Sequence, residues 1–190
     1  MHVILVHGLV GSPENHWFPW LRKELEKRGY TTEALKLPRP ALPAREDWIK
    51  TLAAAVKDPA NTILIGHSLG CPTILYFLER YQGKEKIPQA VLVAGFGRKF
   101  LNPQVSHLQQ KLLHWLEDDL DFARIKNNCR SFTCICSTND PLVPYEEAVW
   151  LAKQLDAELV TERKLHFMSV AGQGTTELPS VVQAITGEKI

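Results

Sequence analysis

The amino-acid sequence predicts an α/β protein: a three-layer α/β/α sandwich around a mostly parallel, six-stranded sheet. Three observations carry that expectation. Six short apolar runs are spread along the 190 residues. Patterns with apolar residues three or four apart fill the intervals between them. Strand and helix alternating in this way give parallel neighbours with helices over both faces of the sheet. Four of the runs also lack the polar alternation of a half-exposed strand, as expected where both faces are covered.

The first run is residues 3–6 (VILV). Ser12 and Pro13 then read as an N-cap and a proline at the first helical position. Trp17, Leu21 and Leu25 recur every four residues, and Gly29 closes that helix. Residues 31–37 (TTEALKL) are the second and weakest run, leading into a proline-rich surface loop at 38–43 (PRPALP). Trp48, Leu52 and Val56 mark the next helix. Residues 62–65 (TILI) are the third run, followed by a helix over 73–81 that ends near Gly83. Residues 90–94 (AVLVA) form the fourth run. The interval 98–128 is the longest without a strand, and it carries a helical pattern over 107–116. Residues 132–136 (FTCIC), a helix over 145–155, residues 158–161 (ELVT) and a helix over 178–185 complete the series. With no internal repeat, linker or low-complexity segment, residues 1–190 are expected to form one domain with a single core.

Composition narrows the function classes. Lys plus Arg is 22 and Asp plus Glu is 21, for a formal charge of +1. A surface without one dominant sign argues against nucleic acid or an anionic membrane as the main partner. The N-terminal apolar run is too short for a signal peptide or a membrane span, and no other stretch approaches the length of a spanning helix. Cys71, Cys129, Cys134 and Cys136 include no C-x-x-C pair. They read as buried, reduced thiols, which places the chain in the cytoplasm. No metal-ligand spacing is present, and no metal or cofactor is expected.

The chemistry is concentrated at Gly66-His67-Ser68-Leu69-Gly70. This is G-x-S-x-G at the end of a strand and the start of a helix, the context in which the motif forms a sharp, strained turn that exposes the serine hydroxyl. Side chains at the flanking glycines would collide with neighbouring backbone. The Leu69 N–H, at the helix N-terminus, becomes a donor for an oxyanion. The first strand runs into His7-Gly8-Leu9, where glycine allows close approach to the serine and the Leu9 N–H is the second donor expected.

A serine hydroxyl is a weak nucleophile and needs a base. Among seven histidines, His166 alone lies in a loop between the last strand and the last helix. It also leaves room for an acid on a preceding strand end, in the order serine, acid, histidine. His67 adjoins the serine, but neighbouring side chains diverge at such a turn, so it reads as a packing residue. The acid is assigned to Asp140, just past the buried run 132–136 and before Pro141, at the carboxyl end of a strand where ligand chemistry gathers in such sheets. Asp118, Asp119 and Asp121 compete, but they lie in a charged helical stretch typical of a solvated face. His7, Gly8, His67, Leu165 and Phe167 are the expected pocket wall. No interval is long enough for a cap, so the acyl pocket should be shallow, with Leu165 narrowing one side.

These residues together resemble the α/β-hydrolase superfamily. HGLVGSPENHWFPWL, joined to GHSLGCP, NDPLVP and a histidine-phenylalanine pair near the C-terminus, resembles more narrowly the small serine hydrolases of the YdeN and retinoblastoma-binding protein nine type. The resemblance covers nearly the whole chain. It implies a minimal hydrolase fold without a cap domain, lacking the first two strands of the larger fold, and a triad that carries over to Ser68, Asp140 and His166. One departure stands out: relatives often have glycine before the histidine, where this chain has Leu165.

The expected reaction is hydrolysis of a small-molecule ester, thioester or amide through an acyl-enzyme on Ser68. Two other classes use such a scaffold: a protein-binding module, and a non-hydrolytic acyltransferase or lyase. No peptide-binding signature indicates a protein partner, and product analysis with water as the only acceptor separates the other case.

Overall fold

A computed structural model describes residues 1–100, 113–116 and 119–188. Six strands, β1 (His2–Val6), β2 (Thr31–Ala34), β3 (Thr62–His67), β4 (Gln89–Val93), β5 (Phe132–Ser137) and β6 (Glu158–Glu162), form one sheet in the order β2-β1-β3-β4-β5-β6. Every pairing in it is parallel. Among the described residues the α-helices are α1 (Phe18–Glu26), α2 (Arg45–Ala55), α3 (Gly70–Arg80), α4 (Phe122–Asn128), α5 (Tyr145–Leu155) and α6 (Pro179–Thr186).

The apolar runs become strands because alternate residues feed two separate cores. Ile4, Val6, Leu64, Leu92 and Cys134 face one side, where Trp48 and Leu52 of α2, Ile74 and Leu78 of α3, Ile125 of α4 and Leu151 of α5 cover them. Val3, Leu5, Ile63, Ile65, Val91, Val93 and Ile135 face the other, against Leu21 and Leu25 of α1 and Val181 and Val182 of α6. This is the three-layer sandwich. The four runs without alternation are the central strands β1, β3, β4 and β5, buried along almost their whole length. The weak run became the edge strand β2, and β6 is the other edge.

The structure departs from the sequence reading in three places. Helix α1 starts at Phe18, with Trp17 as its N-cap and Pro19 in its first turn, rather than at Ser12 and Pro13. The Ser12 hydroxyl instead accepts the Glu14 N–H at 3.3 Å in a turn, and His16 at φ +57° breaks any helix that began earlier. Strand β2 stops at Ala34, because its partner β1 ends at Val6 and turns away toward Ser68. A hairpin of β7 (Ser169–Val170) and β8 (Gln173–Gly174) follows His166. Two residues per strand are too few to show a period. The helical pattern at 107–116 falls largely outside the described residues; Leu113–Leu116 form a 3₁₀ turn.

Backbone crowding at the end of β1 fixes where α3 begins. A Cβ on Gly70 would lie 2.1 Å from the Val6 carbonyl oxygen, and one on Gly66 would lie 2.9 Å from the Cys71 nitrogen. Both neighbours are backbone, so neither can move aside without shifting a strand or a helix. Overpacking of this kind costs about 1–3 kcal/mol and sometimes more. Gly70→Ala is therefore expected to lower the unfolding free energy by about 3 kcal/mol or more, measured by urea denaturation. A loss below about 0.5 kcal/mol, the range of a neutral surface substitution, would contradict the crowding.

Candidate active site

Ser68 stands between β3 and α3 with φ +52°, the left-handed region that costs a residue with a Cβ roughly 1–2 kcal/mol. Two hydrogen bonds hold it there: its N–H donates to the Val93 carbonyl at 2.9 Å, and its own carbonyl accepts the Cys71 N–H at 2.9 Å. The strained turn is thus stitched to β4 on one side and to α3 on the other. Gly8 packs against it so closely that a Cβ there would lie 2.9 Å from the Ser68 Cβ. Among the described residues, nothing accepts the N–H of Leu9 or of Leu69. Both residues line the same cavity as Ser68.

His166 and Asp140 meet over the carboxyl end of β5. His166 Nδ1 lies 2.8 Å from Asp140 Oδ2 and 3.0 Å from Oδ1. Their side chains are 6% and 2% exposed, so this contact is shielded from water. Asp140 Oδ1 also accepts the N–H groups of Leu142, at 2.8 Å, and Val143, at 3.0 Å. The carboxylate is therefore oriented by its own loop before it meets the imidazole. The competing acids do other work: Asp121 caps α4 by accepting the Arg124 N–H at 3.0 Å, and Asp119 is exposed. Asp118 lies outside the described residues.

A cavity of about 200 Å³ opens above Ser68, and His166 forms part of its wall. Leu9, Phe96, Phe100, Leu142 and Val143 give it an apolar side, while Ser12, Asn15 and His16 give it a polar one. Of the residues expected in the wall, His7, Gly8 and His67 are present and Leu165 and Phe167 are absent. Leu165 points to solvent and is 59% exposed, while Phe167 is fully buried among the residues that pack α1 and α6 on the sheet. The reason is local. Both residues have positive φ, +50° and +55°, so the chain reverses around His166 and directs the imidazole, but neither neighbour, into the cavity. Among the described residues, no group of three or more histidine, cysteine or carboxylate side chains is arranged to hold a metal.

His67 and His7 are structural partners of the site. The His67 ring is buried, and its Nε2–H donates to the His166 carbonyl at 2.9 Å. His67 thus fixes the backbone of the residue that carries the proposed base. Its ring centroid lies 5.2 Å from that of His166 and 5.7 Å from that of His16. His7 donates Nδ1–H to the Gly8 carbonyl at 2.8 Å and accepts the Leu37 N–H on Nε2 at 3.4 Å, bracing the Gly8 turn. His16 Nδ1 lies 2.9 Å from the Ser169 nitrogen, tying the segment before α1 to the β7–β8 hairpin. Sequence reasoning missed Ser137 and Asn139, whose side chains hold the backbone of Lys164 and Leu165. The polar residues Ser137-Thr138-Asn139 directly after a buried strand were the available signal.

This sheet order with a strained serine after β3, and a histidine–carboxylate pair from β5 and the loop beyond β6, defines an α/β-hydrolase fold. The serine hydrolase family profile matches residues 3–186, and the chain belongs to that family and is by that membership a hydrolase. It is 35% identical to the YdeN protein of Bacillus subtilis (strain 168) over 186 residues, 97% of this chain and 94% of that one. It is 28% identical to the serine hydrolase RBBP9 of Rattus norvegicus over 144 residues, 75% of this chain and 73% of that one. The crystal structure of the Bacillus subtilis ydeN gene product superposes with a TM-score of 0.89 at 34% identity, covering 98% of this chain and 97% of that one. That of polyneuridine aldehyde esterase superposes at 0.67 with 17% identity, covering 98% of each chain, and shares the fold.

The buried imidazoles make stability depend on pH. Burial, and then the nearby His166, hold His67 well below the usual histidine range; burial also lowers His7 and His16. Each is neutral in the folded protein at a pH where it takes up a proton once unfolded. Stability is therefore full above the unfolded value of about 6.5 and falls as pH drops below it, by up to about 1.4 kcal/mol per pH unit per histidine. Urea titrations between pH 7.5 and 5 should show this loss, and His67→Gln should flatten it by up to one histidine's share. An unchanged slope in His67→Gln would show that the ring takes up its proton as readily folded as unfolded.

Proposed function

We propose that the chain is a serine carboxylester hydrolase that cleaves small ester, thioester or amide substrates through an acyl-enzyme on Ser68. The observation that carries this reading is the convergence on one cavity of the strained Ser68, the unpartnered N–H groups of Leu9 and Leu69, and a His166 held through Nδ1 by Asp140. His166 bonded through Nδ1–H leaves Nε2 free of a proton, which is the tautomer that accepts one. His166 takes the Ser68 hydroxyl proton, the serine oxygen attacks the substrate carbonyl carbon, and the carbonyl π electrons move to oxygen. The N–H groups of Leu9 and Leu69 bind that oxyanion, each contributing roughly 10²–10³ in rate. Collapse of the intermediate breaks the bond to the leaving group, which receives the proton from His166. Water then repeats the cycle on the acyl-enzyme and releases the acid.

The apolar side of the cavity supports a small acyl group, and Ser12, Asn15 and His16 support a polar leaving group. The four cysteines are free and buried, which supports a reducing compartment such as the cytoplasm. Among the described residues no helix is long and apolar enough to cross a membrane.

Asp140→Asn is the sharpest test of the roles. Two backbone N–H groups already donate to Oδ1, so the new NH₂ is driven to the Oδ2 position facing His166. A donor there forces the imidazole into the wrong tautomer. We expect kcat for p-nitrophenyl ester hydrolysis to fall on the order of 10²–10⁴ with the fold intact, and Asp119→Asn to leave it unchanged. The reverse result would move the acid out of the β5 loop.

A further inference from the structure

We infer that Asn139, acting with Ser137, is a positioning residue for His166. Residues 164–167 form a tight turn, closed by the Phe167 N–H donating to the Lys164 carbonyl at 2.9 Å. Its second residue, Leu165, has φ +50°, which is where such turns favour glycine. Glycine would adopt this conformation without strain, whereas leucine must be held in it. The side chain offers no anchor, because it is 59% exposed. The restraint comes instead from the loop after β5.

Three consecutive residues of the turn are gripped by the last residue of β5, Ser137, and two residues of the loop after it, Asn139 and Asp140. The Lys164 N–H donates to Ser137 Oγ at 2.9 Å, the Leu165 N–H donates to Asn139 Oδ1 at 3.0 Å, and the His166 ring bonds to Asp140. The Ser137 hydroxyl in turn donates to Asn139 Oδ1 at 2.8 Å, which closes a relay. Ser137 is 1% exposed, so its link is not exchanged with water. Asn139 Oδ1 is the acceptor on which both arms meet. Without it the Leu165 N–H and the Ser137 O–H lose their partner together, and the strained turn loses the bond that defines its second residue. The His166 ring would then meet the Asp140 carboxylate without a fixed backbone behind it. Asn139 is not among the residues that line the cavity; it acts through the geometry of His166.

The inference rests on His166 being the base, and the experiment separates the two claims. Steady-state hydrolysis of p-nitrophenyl acetate at pH 8 is measured for the full chain, His166→Ala, Asn139→Ala, Asn139→Asp and Ser137→Ala. The proton resonance of the His166 Nδ1–H, assigned by its absence in His166→Ala, is recorded for each. In Asn139→Ala we expect kcat to fall between about 10- and 10²-fold, as small misplacements of catalytic groups do. KM should stay within about twofold, the sign of a transition-state rather than a binding loss. The resonance should broaden or disappear. Asn139→Asp keeps the acceptor oxygen and should restore both kcat and the resonance. Ser137→Ala removes one arm and should give an intermediate loss, and it carries the test if Asn139→Ala does not fold. If His166→Ala lowers kcat but Asn139→Ala and Ser137→Ala leave kcat and the resonance unchanged, Asn139 has no positioning role. If His166→Ala itself leaves kcat unchanged, the base lies elsewhere and both claims fall.

Discussion

The contact between the carboxyl end of β1 and the start of α3 constrains everything built above it. No atom beyond Cα fits at Gly70, because the Val6 carbonyl already occupies that space. With the helix pressed against the strand, the chain between β3 and α3 has two residues, Ser68 and Leu69, in which to reverse, and Ser68 takes the left-handed conformation. The same closeness brings Gly8 and the Leu9 N–H beside the serine. A short helix–strand distance thus gathers Ser68, Leu9 and Leu69 around one cavity. Unfavourable backbone conformations gather at functional sites where surrounding structure over-determines them. Here Val10, His16, Ser68, Leu165 and Phe167 all have positive φ within or beside the cavity.

The histidine side of the site is held differently. The loop that carries His166 leaves the edge strand β6. Its geometry depends on hydrogen bonds from two directions: the Ser137, Asn139 and Asp140 side chains on one side, and the His67 Nε2–H on the other. Burial holds His67 well below the usual histidine range, and its Nε2 carries the proton that the His166 carbonyl accepts. A site made by close packing at Ser68 and by a polar network at His166 has two separate vulnerabilities, one to added volume and one to lost acceptors.

The fold was legible in the sequence where periodicity and burial agree. Apolar runs without alternation marked the four central strands, and Tyr145–Leu155 matches its helical pattern from end to end. The strained turn at Ser68 and the meeting of Asp140 with His166 were legible because each residue carries a local signal: glycines around a serine, an acid just past a buried strand, a histidine in the last loop. The start of α1 was not, since Ser12 and Pro13 suit a turn as well as a helix, and only the left-handed His16 decides between them. Leu165 and Phe167 were misplaced for a related reason. Adjacency to His166 suggested a shared wall, but positive φ on both sides of the histidine turns its neighbours away. The roles of Ser137 and Asn139 depend on a contact 26 or 27 residues along the chain; their polarity at the end of a buried strand was a signal, but it does not name the partner.

The central claim is that the crowded turn makes Ser68 alone a nucleophile. Intact-mass measurement after exposure to a fluorophosphonate tests it most directly. The account predicts one phosphonyl adduct per chain, mapped by peptide sequencing to Ser68 and absent in Ser68→Ala. The buried thiols should remain unmodified, since burial pushes Cys129 and Cys134 up to about 12 and Cys71 well above its ordinary value. An unmodified chain, or an adduct that persists in Ser68→Ala, would contradict it.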